Sequence, residues 1–223
     1  MFFTERFNSL NEQEREAFYK SVFMNMEGDN AAEARNLYYK EKLKSMGEGV
    51  YIGRGVKIVN PQFISLGSNV TINDGCTLIA TNEAGISIAD GASLKDRVYL
   101  DTETAEGYIK IGQAVYIGTG CMLHGHQGLE IGDHSLLAQN ITITPYSHKF
   151  DDCNDTIIKQ GGHTRKVTVG RDCYIGMGCC LVYSADIGDG SVVGSGSVVV
   201  HTIPPYSVAV GVPAKVIRER GKR

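Results

Sequence analysis

From Val169 to Val199 the chain reads VGRDCYIGMGCCLVYSADIGDGSVVGSGSVV, with aliphatic residues at Val169, Ile175, Leu181, Ile187, Val193 and Val199. Side chains on one face of a helix recur every 3.6 residues and those on one face of a strand every 2, so a period of six signals neither alone. Cys173, Cys179, Ala185, Ser191 and Ser197 each follow an aliphatic residue by four positions, where an inward site has little room. Such a repeat predicts a parallel β-helix, one short strand and one corner per hexad.

Toward the N-terminus the same period groups the aliphatic residues in threes: Met46, Ile52, Ile58; Leu66, Ile72, Leu78; Ile88, Leu94, Leu100; Ile111, Ile117, Leu123; Ile131, Leu137, Ile143. Three hexads per group predict a triangular coil. The breaks in period fall after Ile58, Leu78, Leu100, Leu123 and Ile143, always behind a third hexad. All insertions are therefore expected to leave from one edge of the prism. An ordinary β-sandwich would instead require turn signals every eight to twelve residues and alternating polarity. The predicted fold is all-β: about seven three-hexad coils over residues 46–203, preceded by a helical segment at 1–45 and followed by a basic extension at 204–223. A long loop at 144–166 interrupts the coils.

The 223 residues carry a formal net charge of -3, which argues against a general nucleic-acid or anionic-membrane binder. The start, Met1 to Arg6, does not read as a signal peptide, and the apolar tract from Val192 to Val200 is interrupted by Gly and Ser. No membrane span and a cytoplasmic location are expected. Of six cysteines, Cys76, Cys121, Cys173 and Cys179 occupy the small inward position, so core packing accounts for them without disulfides or zinc.

In the N-terminal segment, Ser9-Leu10-Asn11-Glu12 and Asn30-Ala31-Ala32-Glu33 each have the spacing of a capping box. They predict helices over roughly 10–26 and 30–45. Phe18, Val22, Phe23, Leu37 and Tyr38 would cover the open end of the first coil, alone or while also shaping an acceptor pocket.

The longest insertion contains Thr144-Pro145-Tyr146-Ser147-His148-Lys149-Phe150-Asp151-Asp152 and runs through Gly161-Gly162-His163. Long ordered loops on a rigid scaffold are where function concentrates. His148 follows the inward Ile143 by five residues, so it should stay near the prism edge. An imidazole with an ordinary pKa of about 6.5 can act there as a general base. One coil earlier on the same edge stand His124 and His126, and before them the carboxylates from Asp101 to Glu106. His126 and Asp101 are the candidates for holding a hydroxyl-rich acceptor.

The segments Val167-Thr-Val-Gly-Arg-Asp-Cys-Tyr-Ile-Gly, Ile187-Gly-Asp-Gly-Ser-Val-Val-Gly-Ser-Gly-Ser-Val-Val and Ile203-Pro-Pro-Tyr-Ser-Val-Ala-Val-Gly-Val-Pro-Ala-Lys-Val-Ile-Arg resemble the hexapeptide-repeat acyltransferases. The resemblance covers residues 46–218 and is nearest to the galactoside, maltose and polysaccharide O-acetyltransferases. It implies a left-handed parallel β-helix, a homotrimer and acetyl-CoA as co-substrate without a metal. Ser147-His148-Lys149-Phe150-Asp151 is similar to the catalytic-histidine segment of these enzymes, which makes His148 the base for direct transfer. Asn140 matches an acceptor-contacting asparagine, and the backbone N–H of Met177 matches the oxyanion donor. Gly176, Met177, Gly194 and Ser195 match coenzyme contacts. Lys215 and Arg218 suit coenzyme phosphates, while Arg220 onward reads as a frayed basic tail. The chain departs from the family's pattern at Tyr174, where Trp is usual, and at His201, where the sugar enzymes often have Lys.

The activity implied is acetyl-CoA-dependent O-acetylation of a sugar, oligosaccharide or polysaccharide precursor, with N-acetylation of an amino sugar or small amine as the alternative. Cys121-Met-Leu-His124-Gly-His126 also looks somewhat like the γ-class carbonic anhydrases, which bind zinc through three histidines. Here His124 and His126 are separated by one residue, with His134 following, instead of the four-residue separation of that family. A non-catalytic β-helix scaffold would lack both the histidine loop and the basic end.

Overall fold

The computed structural model describes residues 8–222. The readings of Met1 to Arg6 and of Arg223 lie outside the described residues. The chain is a left-handed parallel β-helix of about seven coils. Sheet A has six strands, continued by single bridges at Ile187 and Ile203, and sheet C has seven strands. Sheet B has nine, the last two being a C-terminal hairpin of Ser207–Gly211 and Ala214–Glu219.

The sequence groups are the coil registers. Met46, Leu66, Ile88, Ile111, Ile131, Val169 and Ile187 stack as successive partners on sheet A. Ile52, Ile72, Leu94, Ile117, Leu137, Ile175 and Val193 do so on sheet B. Ile58, Leu78, Leu100, Leu123, Ile143, Leu181 and Val199 complete sheet C. Almost all are fully buried, each Ile or Leu contributing about 1.5–3 kcal/mol on leaving water. Cys76, Cys121, Cys173 and Cys179 are buried beside them. Every insertion leaves at the edge where sheet C passes to sheet A, as the broken period predicts.

The N-terminal helices differ in their ends from the sequence expectation. The first runs Glu12–Phe18 and continues as a π-turn over Tyr19–Phe23; its capping box is Asn11 with Glu14, not Ser9 with Glu12. The second runs Asp29–Lys40 and follows Gly28 with no side-chain cap, so the Asn30–Glu33 box is not formed. The first helix starts at a local box two residues further along, and the second one residue before the expected box, shifts of the size usual for helix ends.

These helices stand in for a missing coil. In the stack, the carbonyls of Val70, Ile72 and Cys76 accept from the preceding coil's Tyr51, Gly53 and Lys57 amides. The equivalent carbonyls of the first coil have no such coil before them. Asn36 Nδ2 donates to Val50 O at 2.6 Å, Arg35 Nε to Ile52 O at 2.8 Å, and the Tyr39 hydroxyl to Val56 O at 3.2 Å. Arg35 is buried, and its Nη1 also serves Phe23 O and Met26 O. Unpaired carbonyls at a buried end would each cost about 1–3 kcal/mol.

The basic end is also more ordered than the sequence suggests. Arg220 is not part of a frayed tail: its guanidinium donates to Asp172 Oδ2 at 2.8 Å and to Gly190 O at 2.9 Å. The C-terminal hairpin brings it back onto coils six and seven. Among the described residues no helix is long and apolar enough to cross a membrane.

Candidate functional site

Three edges separate the sheets, and two of them carry the candidate residues. The third edge, from sheet C to sheet A, bears the insertions. There Tyr146–His148 pairs antiparallel with Gly162–Thr164, so the long loop is a hairpin. Its base is held by the Arg165–Asp186 and Lys166–Glu130 ion pairs, and its tip by Gln160, which donates to Asp152 O and Asp155 O. His148 therefore sits on a hydrogen-bonded strand beside the prism, exposed to solvent.

A column of rings leads to it from the preceding coils. His126 stacks on Tyr146 with centroids 5.1 Å apart, and Tyr146 meets His148 edge to face at 4.7 Å. The Tyr146 hydroxyl lies 3.2 Å from His148 Nδ1. Tyr146 is confined from its other side by Gly162, where any Cβ would collide with the phenol ring. Sequence reading missed Tyr146, because only the hairpin register shows that it reaches His148. Further down, His124 stacks on His126 at 6.0 Å, and its Nδ1 lies 2.7 Å from Glu103 Oε1. Burial pushes the His126 imidazole below its ordinary pKa, so the neutral ring is favoured.

Asp101 is buried, and both its oxygens are engaged. Oδ2 accepts from the Tyr99 hydroxyl at 2.7 Å and Oδ1 from the Glu103 amide at 2.8 Å. Burial, then the neighbouring carboxylate, pushes the Tyr99 phenol up to about 12. Asp101 thus shapes the loop that presents Glu103. His134 lies at a different edge, between sheets A and B, so His124, His126 and His134 do not converge as a three-histidine zinc set.

The second edge, from sheet B to sheet C, has no insertions before the C-terminal hairpin. Successive coils place Gly118-Thr119-Gly120, Ala138-Gln139-Asn140, Gly176-Met177-Gly178 and Gly194-Ser195-Gly196 one above another. Gly176 is closely covered: a Cβ there would run into the Ser195 backbone. Asn140 takes φ 56°, the left-handed turn position that Gly178 holds in the next coil at φ 69°.

Free turn amides run in unbroken succession along the upper part of this edge, whereas between sheets A and B those of Asp90, Asp133 and Asp189 are interspersed with capped ones. Between sheets A and B, the amides of Glu48, Ser68, Gln113 and Arg171 donate to Ser68, Asp90, Asp133 and Asp189 side chains of the following coil. On the second edge Arg54 does likewise to Asp74. The equivalent amides of Thr119, Gln139, Met177 and Ser195 have no acceptor among the described residues. They form a column of free donors on a surface of small residues. Such a column fits an extended amide-rich chain or an oxygen that gains charge.

Lys215 and Arg218 project from the hairpin that extends sheet B beyond this edge. Lys215 is exposed and makes no ion pair among the described residues. Arg218 instead donates to its neighbours' backbone, Glu219 O and Lys222 O. Within one chain, His148 and His126 lie on the third edge, while Asn140, Gly176, Met177, Gly194 and Ser195 lie on the second, with sheet C between them.

Residues 108–145 and 166–200 match the family described as the hexapeptide repeat of succinyl-transferase. These two stretches, about a third of the chain, carry the hexapeptide repeat of that family within the parallel β-helix. It is 34% identical over 165 residues to a probable acetyltransferase of Mycobacterium tuberculosis, an alignment covering 74% of this chain and 54% of that protein. It is 34% identical over 116 residues to the galactoside O-acetyltransferase of Escherichia coli, covering 52% and 56%. The chain thus spans about half the length of these two curated relatives. A dTDP-4-amino-4,6-dideoxy-D-glucose acyltransferase of Escherichia coli is 28% identical over 180 residues, covering 81% and 84%. Among solved structures, the Bacillus cereus N-acyltransferase AntD in complex with dTDP and coenzyme A shares the fold, with a TM-score of 0.60, 23% identity and 83% and 89% coverage.

Proposed function

We propose that the chain is an acyl-CoA-dependent acyltransferase that moves an acetyl group from acetyl-CoA to a hydroxyl of a sugar, oligosaccharide or polysaccharide precursor. The observation that carries this reading is the hairpin-held His148, whose Nδ1 is engaged by Tyr146. With the ring proton on Nδ1 and directed at the Tyr146 oxygen, Nε2 is left as the base. It takes the acceptor's proton as the hydroxyl attacks the thioester carbonyl; the carbon–sulfur bond then breaks and coenzyme A leaves as a thiolate that takes the proton back from the imidazolium. Acetyl-CoA supplies the electrophile, a thioester carbonyl.

The second edge suits the donor. Free amides at Met177 and its neighbours can meet carbonyl oxygens, with the Met177 N–H at the oxygen that gains charge. Gly176, Gly194 and Ser195 leave the backbone approachable, and Lys215 offers a free cation for phosphate. Arg218 would have to leave its backbone partners to join it. Asn140, His126 and the loop shaped by Asp101 complete the acceptor side.

Because sheet C separates the two edges, a complete site needs the third edge of one copy beside the second edge of another. A homotrimer provides this. The outward faces of sheets B and C suit such packing, with Tyr116, Leu136, Tyr174 and Val192 on one and Met122, Thr142, Cys180 and Val198 on the other. Sheet A instead presents Lys110, Glu130 and Thr168.

A second reading is N-acylation of an amino sugar. It is favoured by the carboxylates of Asp101 and Glu103 along the acceptor edge, which attract an ammonium, and by the aminosugar acyltransferase relative that the chain covers over most of its length. Coenzyme A release measured with matched hydroxyl and amino sugars separates the two. The O-acetyl reading expects turnover with the hydroxyl series; turnover confined to amines assigns the second.

A further inference from the structure

One cluster on the third edge, whose His126 and Glu103 the proposed function places on the acceptor side, is also assembled as a ligand set. We propose that Glu103, His124 and His126 bind a borderline divalent transition cation of the Zn²⁺ class, directly beneath Tyr146. One carboxylate oxygen and one ring nitrogen from each histidine lie within 4.8 Å of one another, the one such group among the described residues.

The dimensions suit the cation. Zinc takes nitrogen and carboxylate oxygen ligands at about 2.0–2.2 Å, which sets tetrahedral ligand atoms about 3.3 Å apart. The cluster needs to contract by roughly 1.5 Å at its widest, a shift that side-chain torsions supply. Two imidazoles and one carboxylate also select chemically: calcium and magnesium favour all-oxygen shells, whereas zinc, cobalt and nickel favour imidazole.

Two features beyond proximity point to a ligand. His126 Nδ1 is sealed from solvent and has no hydrogen-bond partner. An orphaned buried polar atom costs about 1–3 kcal/mol, and a cation would relieve it. Glu103, moreover, is set in place before any ligand arrives. Asp101 Oδ1 accepts from its amide, its φ of 63° is one that non-glycine residues rarely hold, and its carboxylate already rests 2.7 Å from His124 Nδ1.

The three residues come from neighbouring coils. Glu103 leaves the strand Tyr99–Asp101, and His124 ends the strand Met122–His124, in register with Asp101. A bound cation ties the 102–107 loop to the following coil and fixes the His126 ring on which Tyr146 stacks. Its role is thus to set the seat of the catalytic hairpin. The site stands on this geometry whether or not the chain transfers acyl groups.

The test is titration of the metal-stripped full-length protein with Co²⁺, followed by visible d–d absorption, with Zn²⁺ as competitor. One Co²⁺ per chain is expected, displaced by Zn²⁺. His126→Gln and Glu103→Gln should each weaken binding about 10-fold or more, the scale on which even outer-shell changes act. His134→Gln, at another edge, should leave it unchanged. Zn²⁺ should raise the melting temperature of the parent protein and not of His126→Gln, by linkage to the folded state. Lack of saturable one-to-one binding would overturn the proposal, as would binding that survives loss of both His124 and His126 in a variant with unaltered circular dichroism.

Discussion

The second and third edges of the prism arise from one repeat and end up with opposite chemistry. On the second edge the lower coils turn on charged residues such as Arg54, Asp74 and Arg97, while the upper coils turn on small residues with their turn amides left free and little side-chain functionality. On the third edge each of the first five coils releases a loop, and histidine, tyrosine and carboxylate side chains gather along it. The difference teaches a division of labour. A bare edge can recognise through backbone, which is insensitive to side-chain identity, while the decorated edge, in the function proposed above, would supply groups that move protons and select an acceptor.

The largest effect expected on breaking this division is at His148. His148→Ala should lower kcat about 10²–10⁴-fold, the usual worth of a positioned base, and leave acetyl-CoA affinity unchanged by calorimetry. If the second edge works through its backbone, Met177→Pro should cost about 10²–10³-fold in kcat by deleting one amide. Pro is favoured at the first central position of a turn whose second, here Gly178, has positive φ. Met177→Ala, which keeps the amide, should then stay within about threefold of the parent, since exposed side-chain changes are usually mild. Equal damage from both would show the side chain to be the determinant.

Tyr146→Phe removes only the hydroxyl beside His148 Nδ1. Loss of one such hydrogen bond, worth about 1 kcal/mol, predicts a roughly fivefold fall in kcat with the affinity for acetyl-CoA unchanged. An unchanged kcat would make Tyr146 a packing residue. The smallest effect concerns the hairpin's anchor. Hydrogen bonding from Lys166, chiefly, holds the Glu130 carboxyl below its ordinary pKa. Its contribution is present above the unfolded carboxyl's pKa and fades as pH falls through the folded value. Glu130→Gln should therefore lower stability by less than about 1 kcal/mol at pH 7 and by progressively less as the pH falls below the ordinary carboxyl range, read from melting curves.

The scaffold was legible because it is periodic. Hexads fix which residues face inward, and Val169, Ile175 and Leu181 lie where their spacing requires. Breaks in the same period located the edge that carries the insertions and the placement of His148 beside it. Other features depend on contacts that no local pattern encodes. Arg35 reads as a solvated charge on a helix until one sees that it replaces the hydrogen bonds of an absent coil. Tyr146 acquires its position from pairing with residues across a hairpin, and Arg220 from a C-terminal strand returning onto sheet B. The run of free amides on the second edge is a backbone property, visible only by comparison with an edge where Asp side chains cap several of the turn amides.

Calorimetric titration with acetyl-CoA of the parent protein, His148→Ala and Lys215→Ala tests the division of labour most directly. The account predicts saturable binding of the same strength in the parent and His148→Ala, and weaker binding in Lys215→Ala. No binding by the folded parent, or binding abolished by His148→Ala and untouched by Lys215→Ala, would contradict it.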